Sequence, residues 1–600
     1  MSQSHAVPIV EKKPLIVRIS LRILSNLLIL LAGAVLVFSF APAYKGMLAL
    51  VWPAVLILAC RHDTSWRAFR RAWLFNFGFF LSAVYWVWFS MHVFYGIPSP
   101  LSMAVVALFG AFLAVFPALA VALSVRMGVN KNAVVMLAIF PVLWIFLEWT
   151  RGWFMTGFPW VAVGYSQTDT LLASMGPVLG IYGIGWIVML LATTIAILVK
   201  HTLNLKPVIW YAGMLLFVIS ALFNWVIVCW LLLMLVAGYA LYQKQWLVLP
   251  VTLLVLTCIP LASIEWSDPQ GKTLKVSLVQ GNIYQAVKWE SKNVSLSSYL
   301  GLSLPLWDSN KKTGAFNPEL IVWPETALPF VNPKTVKKLI SKIQRRVVEH
   351  GSELITGIVF RSYKEIDGKL TILDYNSVLK IGKELERYNK YHLVPYGEYI
   401  PLERTLGWLY SFLGTELSVF TRGEMPQNLL TVRGMPVAVN ICYETAFPEE
   451  IILGLPRAAF LVNLSNNAWF YNPIQFADKS RIPTKALMQN YPATGLTALY
   501  KQWVNDSIEA YQVLQIAQMR AIETSRYMLS ATNDGVTAII NHKGKIVSAL
   551  PRFRPGSLNG EIQPMQGATL FVRVGNYLIL GIMLFSLLAG LWLSRRLKNT

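Results

Sequence analysis

The chain has 600 residues, of which 55% are hydrophobic and 14% charged, with a mean hydropathy of +0.52 and a formal net charge of +22. That is too long and too apolar for one soluble domain. The excess of Lys and Arg argues for no nucleic acid partner, because many of these residues flank apolar runs, where they set orientation and meet anionic lipid.

The hydrophobicity is zoned. Apolar runs follow one another from 21 to 264, an ordinary globular composition holds from 267 to 566, and a last apolar run at 576–594 precedes a basic tail. The partition predicts a transmembrane bundle over 1–266 of about seven to nine spans. It also predicts an extramembrane domain over 267–566, a C-terminal transmembrane helix over 576–594 and a cytoplasmic basic tail over 595–600.

At the N-terminus, Lys12, Lys13, Arg18 and Arg22 precede apolar residues that continue to Ala41. The run exceeds the apolar core of a signal peptide and reads as an uncleaved first span. Further spans are predicted near 44–60, 73–93, 101–125, 133–149, 172–199, 208–223, 225–242 and 246–264. Arg61, Arg67, Arg70 and Arg71, then Arg126 and Lys131, then Lys200 and Lys206, then Lys244, and finally Arg595, Arg596 and Lys598 fall on one side of this arrangement. The positive-inside rule makes that side cytoplasmic and puts the globular domain outside. The loop 151–170 is then also outside. Its Trp153, Phe154, Phe158 and Trp160 read either as an interfacial belt or as a wall of a lipid-entry site beside the globular domain. Glu148, at a span end, is almost the only acidic residue within the apolar runs, which argues against a transporter.

The globular domain alternates strand and helix signals. Leu274–Gln280, 320–323, 354–360, 376–381, Met435–Ile441 and 459–464 are strand-like, and 333–350 and 509–526 are helix-like. Residues 536–547 read as a hairpin turning at His542-Lys-Gly544. Strands with helical returns predict an α/β sandwich.

Four cysteines are present, Cys60, Cys229, Cys258 and Cys442, and only the last lies in the globular domain. That domain therefore has no internal disulfide. The absence of a CxxC or Cys/His cluster argues against a zinc enzyme, and neither metal nor cofactor is expected. Cys442 ends the apolar run 437–441, and the residues after it carry helix-opening signals. A thiol there reads either as a buried structural cysteine or as a thiolate favoured by a helix N-terminus.

Three stretches at predicted strand ends carry chemistry: Trp323-Pro-Glu325-Thr326, Lys390-Tyr-His-Leu-Val-Pro-Tyr-Gly-Glu398-Tyr399, and Ile441-Cys442-Tyr443-Glu444. Singly, Glu325 reads as a helix cap, Lys390 as a loop lysine, and Glu398 and Glu444 as surface charges. Together a base, a cation and a thiol make a complete acyl-transfer site. The carboxylate takes the thiol proton, the sulfur attacks an acyl carbonyl, and the ammonium steadies the oxyanion.

In this order the motifs resemble the carbon–nitrogen hydrolase (nitrilase-like) superfamily, and more closely the apolipoprotein N-acyltransferase family within it. Val279-Gln-Gly-Asn282 followed by Lys288-Trp289, Phe420-Thr-Arg-Gly423, Ser465-Asn-Asn-Ala-Trp-Phe470 and Ala531-Thr-Asn-Asp-Gly-Val536 fit the same pattern. The resemblance implies an α-β-β-α sandwich joined to a membrane bundle in a bacterial inner membrane, with the sandwich in the periplasm. It implies a ping-pong reaction in which Cys442 takes an acyl chain from a phospholipid as a thioester. The chain then passes to the free α-amine of a diacylglyceryl-cysteine at the N-terminus of an apolipoprotein. Glu325 would be the base and Lys390 the oxyanion cation. Glu398 would support the lysine and the oxyanion, Tyr443 and Glu444 would shape the pocket behind the thiol, and Trp289 would be functionally important. The acting unit is expected to be a monomer. The competing expectation is a membrane-anchored amidase acting on a soluble nitrogen compound.

The segment 402–413, with Trp408, Leu409 and Phe412, reads either as core residues of a surface helix or as a lipid-facing arm that gates the thioester from water. The chain departs from the family by an apparent insertion, 471–505, and by extra apolar length at 208–242. The insertion reads either as a tolerated surface insertion or as an amphipathic flap.

Overall fold

The apolar runs of the first third fold as helices because a backbone in lipid must satisfy its own hydrogen bonds. In this computed structural model the described residues are 15–60, 62–129, 132–202, 248–285, 292–307, 316–366, 368–401, 419–471 and 507–599, with 234, 238, 246 and 288 between them. The bundle helices are α1 (Leu15–Val35), α2 (Leu48–Cys60), α3 (Ser65–Val84), α4 (Ser99–Arg126), α5 (Ala133–Arg151) and α6 (Gly176–Thr202). Side-chain caps set two of the starts. The Thr64 hydroxyl accepts from Arg67 N at 3.4 Å, and Asn132 Oδ1 accepts from Val134 N at 2.8 Å and Val135 N at 3.2 Å.

Among the described residues, 5 helices are long and apolar enough to cross a membrane. A sixth candidate is α3 together with Val87–Phe94, a pair bent by 57°. Leu48–Cys60 and Val248–Ser263 are apolar but shorter. The spans expected at 208–223 and, apart from 234 and 238, at 225–242 lie outside the described residues.

The globular part is built on two six-stranded sheets. Its elements in chain order are β1 (Leu274–Gln280), α7 (Lys292–Ser303), β2 (Leu320–Val322), α8 (Pro333–Glu349), β3 (Glu353–Ile366), β4 (Lys369–Ile381), β5 (Leu385–Asn389), β6 (Leu430–Val432), β7 (Met435–Ile441) and β8 (Phe460–Ser465). They continue with α9 (Glu509–Thr524), β9 (Met528–Thr532), β10 (Ala538–Ile540), β11 (Ile546–Ala549) and β12 (Gly556–Ile562), and the chain closes with the apolar helix α10 (Tyr577–Asn599). The sheet orders are β12-β1-β2-β3-β4-β5 and β11-β10-β9-β8-β7-β6.

Val276, Leu278, Val322, Ile355 and Val378 of the first sheet share one core with Val437, Ile441, Val462, Leu464 and Leu529 of the second. Tyr299 of α7 and Ile343 and Val347 of α8 cover the outer face of the first sheet. Tyr511, Leu514, Ala517 and Ala521 of α9 cover the second. The architecture is thus the α-β-β-α sandwich of the nitrilase fold beside a helical bundle.

The strand expected at 376–381 is the end of a longer one, because β3 and β4 pair from Leu354↔Ile381 to Ile366↔Lys369. β5 and β12 were not legible as strands. Both are sheet edges, and their sequences, Leu-Glu-Arg-Tyr-Asn and Gly-Ser-Leu-Asn-Gly-Glu-Ile, carry the charge and glycine that edge strands tolerate. The expected hairpin forms between β10 and β11, with Gly544 at φ +78° in its turn.

One expectation fails. The residues after Cys442 do not open a helix whose dipole faces the thiol. Cys442–Ala446 is a single 3₁₀ turn, and Pro448–Ile451 a helix of 4 residues. Phe447 is extended and Pro448 follows it, so helical geometry cannot run on from Cys442. A 3₁₀ turn and one turn of helix sum too few peptide dipoles to favour a thiolate.

Candidate active site

β2, β7 and β8 run parallel to their sheet neighbours β1, β9 and one another, and their C-terminal ends meet on one side of the sandwich. Glu325 lies beyond β2, Lys390 directly after β5, Cys442 directly after β7, and Asn466 directly after β8. Residues at the carboxyl ends of parallel strands converge because the loops that follow all open on the same edge.

The loop holding Glu325 is tightly seated. Thr326 has φ +50°, and a Cβ placed on Gly357 of β3 would meet Thr326 N at 2.4 Å and Glu325 Cα at 2.6 Å. A glycine at 357 is therefore what lets this loop lie against β3. Cys442 also has a left-handed backbone, φ +51°, which turns its side chain sharply off the strand. A non-glycine residue there is strained, and such strain gathers at functional sites.

The readings of Lys390 as a solvated loop lysine and of Glu398 and Glu444 as surface charges are excluded, because all three are buried, and Glu325, read singly as a helix cap, is buried with them. Lys390 Nζ lies 2.9 Å from Glu398 Oε2 and 3.6 Å from Glu325 Oε1. Asn376 Nδ2 donates to Glu325 Oε1 at 2.8 Å and to Glu398 Oε1 at 2.7 Å, so one amide spends its two hydrogens on the two carboxylates. Their other oxygens accept backbone N–H groups, Asn466 N to Glu325 Oε2 at 2.9 Å and Val394 N to Glu398 Oε2 at 2.8 Å.

Burial alone would lower the pKa of the Lys390 ammonium, but Glu398, Glu325 and Cys442 outweigh it and hold it above the ordinary lysine value. Burial, and then the charge of Glu325, push the Cys442 thiol up, against the pull of Lys390. The surroundings therefore favour a neutral thiol beside a cation, and a thiol so placed needs a base before it can act as a nucleophile.

Glu444 ties the thiol strand to the lysine loop. Its Oε2 accepts from Ile441 N at 2.7 Å. Its Oε1 accepts from Tyr391 N at 2.6 Å, His392 N at 3.1 Å and the Tyr388 hydroxyl at 2.9 Å. Tyr443 faces the other way, toward the bundle. Its hydroxyl donates to Gly157 O at 2.9 Å, and its ring lies stacked on Phe158 and Trp160.

The loop after α5 thus packs directly behind the residue that follows the thiol. Arg151 shapes it, donating from Nη1 to Phe158 O at 2.6 Å and Trp160 O at 2.9 Å, while Glu148 Oε1 accepts from Val163 N at 3.1 Å. Glu148 is therefore part of a clamp on this loop. At the loop's tip Trp153, Phe154 and Met155 stay exposed.

Sequence reasoning missed Asn376 and the backbone of Asn466. The signal for Asn376 was a polar pair, Asn376-Ser377, at the head of an otherwise apolar strand end. Trp289, Trp408, Leu409, Phe412 and the insertion from 472 to 505 lie outside the described residues. Among the described residues no group of three or more His, Cys, Asp or Glu side chains is placed to hold a metal ion.

Two family models match the chain, the apolipoprotein N-acyltransferase N-terminal domain over residues 32–194 and carbon-nitrogen hydrolase over 275–569. A relative in Methylococcus capsulatus, an apolipoprotein N-acyltransferase, is 33% identical over 575 residues, covering 96% of this chain and 96% of its own. The chain belongs to the apolipoprotein N-acyltransferase family. Other members are similarly related across bundle and sandwich alike. That of Coxiella burnetii is 32% identical over 94% of this chain and 99% of its own, and that of Nitrosomonas europaea 33% identical over 93% and 95%. An apolipoprotein N-acyltransferase bundle therefore lies against the sandwich, and its loop 152–163 completes the ground behind Cys442.

Proposed function

We propose that the chain moves an acyl chain from a membrane phospholipid to the α-amine of a diacylglyceryl-cysteine at the N-terminus of an apolipoprotein. In the first half-reaction Glu325 takes the thiol proton as Cys442 Sγ attacks the ester carbonyl. The Lys390 ammonium meets the oxyanion of the tetrahedral intermediate. The C–O bond breaks, the lysophospholipid oxygen takes the proton from Glu325, and a thioester remains. In the second, the neutral amine attacks the thioester carbonyl, gives a proton to Glu325, and the C–S bond breaks. The sulfur recovers that proton and the product is an amide. No cofactor enters the balance.

The observation that carries this reading is the buried cluster in which Asn376 and Lys390 join the Glu325 and Glu398 carboxylates beside the only cysteine of the sandwich. Glu398 fixes Lys390 for the oxyanion, and Glu444 and Tyr443 hold the turn that carries the thiol. The amidase alternative is less supported, because the relatives match the bundle as well as the sandwich. The basic residues flanking the apolar runs favour a periplasmic sandwich in a multi-pass inner-membrane protein, and the exposed Trp153, Phe154 and Met155 favour lipid entry on that side of the thiol.

Mass spectrometry of the purified protein mixed with phospholipid tests the reading. An acyl adduct on Cys442 is expected, absent in Cys442→Ser and greatly reduced in Glu325→Ala. No adduct with any phospholipid would sink it.

A further inference from the structure

Every one of the sixteen residues of α9 is buried, although the helix carries Gln512, Gln515, Gln518, Arg520 and Glu523. It is buried on two sides. One face covers the second sheet, and Val513, Ile516, Met519 and Ile522 join the core of the membrane bundle. Buried side-chain amides must find partners, and those of Gln512 are all in the bundle. Its Oε1 accepts from Trp160 Nε1 at 2.7 Å and from Trp86 Nε1 at 3.1 Å, and its Nε2 donates to Ala83 O at 3.2 Å. Trp86 also donates to Ala83 O, at 2.9 Å, whereas among the described residues Gln512 is the one hydrogen-bond acceptor of the Trp160 indole N–H.

The two indoles so held touch two different stretches of the site, the one that carries the thiol and the one that holds its base. Trp160 stacks on Tyr443, the residue after Cys442, with centroids 6.2 Å apart and planes at 21°. Trp86 meets Phe470 edge-on at 4.8 Å. Phe470 closes the stretch that begins with Asn466, whose N–H holds Glu325, and Phe470 N donates to Asn467 O. The indoles themselves lie 5.5 Å apart. Trp86 sits at the 57° bend after α3, and Trp160 in the loop clamped by Arg151.

We propose that Gln512 is a positioning residue that sets the register of the thiol and its base on the membrane bundle, so that a donor ester held in the bilayer reaches Cys442 in line for attack. It acts through Trp160 on the thiol side and Trp86 on the base side. Its effect falls on donors presented from lipid, because a small water-soluble ester needs no alignment between bundle and sandwich. The inference rests on Cys442 being the acylated thiol.

The test uses the full-length protein in phospholipid nanodiscs. Two rates are measured by mass spectrometry, acylation of Cys442 from the bilayer and acylation by p-nitrophenyl butyrate. Gln512→Leu is expected to slow the first at least tenfold and to leave the second within threefold of wild type. Gln512→Glu keeps an acceptor for both indoles but sets its second oxygen against Ala83 O, and its bilayer rate is expected to lie between those of Gln512→Leu and wild type. Trp160→Phe keeps the ring and removes its donor. Combined with Gln512→Leu it is expected to be no slower than the slower single variant, since coupled residues are not additive. A wild-type bilayer rate in Gln512→Leu, or equal slowing with both donors, overturns the inference. Should Gln512→Leu not fold, Trp160→Phe alone must show the loss confined to bilayer donors, and its absence is equally fatal. A wild-type protein that forms no adduct with either donor defeats instead the reading of Cys442 on which the inference rests.

Discussion

Replacing Asn376 by Leu tests whether the two carboxylates act as an ordered pair. The two side chains are of similar size and the site is buried in β4, so the change removes the amide with little change of volume. Two hydrogen bonds to carboxylates are lost, 2.8 Å to Glu325 and 2.7 Å to Glu398. Each carboxylate keeps a backbone donor and Lys390, so neither is stranded. A hydrogen bond to a charged group contributes roughly 1.5–3 kcal/mol.

The bond to Glu398 matters to the rate only through Lys390. The bond to Glu325 orients the carboxylate proposed as the base, so one bond's worth is the expected loss. At 1.36 kcal/mol per tenfold this slows acylation of Cys442 by roughly 10- to 150-fold. Single-turnover acylation from phospholipid, with the apparent unfolding temperature as a control for folding, measures it. Asn376→Asp is expected to lose at least as much, because it sets a third carboxylate against the other two. Acylation of Asn376→Leu within threefold of wild type would refute the ordered pair.

Lys390→Met removes the cation proposed to meet the oxyanion and leaves Glu325 and Glu398 without the charge between them. Acylation is expected to fall by at least 10²-fold, the usual cost of losing one oxyanion donor, in the same single-turnover assay. Glu509 is buried, and burial pushes its carboxyl up to about 8, with Asn467 and Arg552 pulling down and Asp534 and Glu325 pushing further up. Its folded pKa lies above its unfolded value near 4.5, so the folded state holds the extra proton. Its contribution to stability is full below pH 4.5 and is lost as pH rises through 8. The apparent unfolding temperature of Glu509→Gln in detergent is expected to fall less steeply across that window than that of wild type. Arg151→Met leaves Glu148 buried without its cation and frees Phe158 O and Trp160 O. A destabilisation of about 3 kcal/mol is expected, seen as a lower unfolding temperature.

What was legible in the sequence was what lies close along the chain. Glu325 and Cys442 each follow an apolar strand run, and a residue at a strand end is placed by that run alone, whereas Lys390 follows β5, too polar to read as a strand, and was legible only through the motif it opens. The geometry around them was less legible, because it is made by residues far apart. Asn376 and Glu325 are 51 positions apart, and Asn376 in isolation is only a polar interruption of a strand. The helix expected after Cys442 shows the opposite error. Its acidic residues suit a helix start, but Phe447 and Pro448 cut the run short.

α9 shows a third limit. Gln512, Gln515 and Gln518 recur at helical spacing and by themselves suit a solvated face. Gln515 instead accepts from Ala41 N at 3.0 Å and donates to Thr168 Oγ1 at 3.1 Å, and Gln518 accepts from the Tyr44 hydroxyl at 3.3 Å. The spacing gives the face, while only the packed bundle gives the partner.

The protonated thiol bears on how the site survives between turnovers. A thiolate is the form that oxidants and stray electrophiles attack, and a neutral thiol is a poor target for both. Burial and Glu325 hold Cys442 in that neutral form, and the sandwich contains no second cysteine with which to form a disulfide. The cost is that the nucleophile is not ready-made, so attack waits for a carbonyl close enough that proton transfer to Glu325 and bond formation proceed together. Under the proposed chemistry this restricts reaction to an ester already seated against Lys390. Cys442 is itself only partly buried, so it is not the sealed structural cysteine that its place after an apolar run suggested. The surroundings that disfavour the thiolate leave room for a carbonyl to reach the sulfur, and once acylated the sulfur carries no proton to lose.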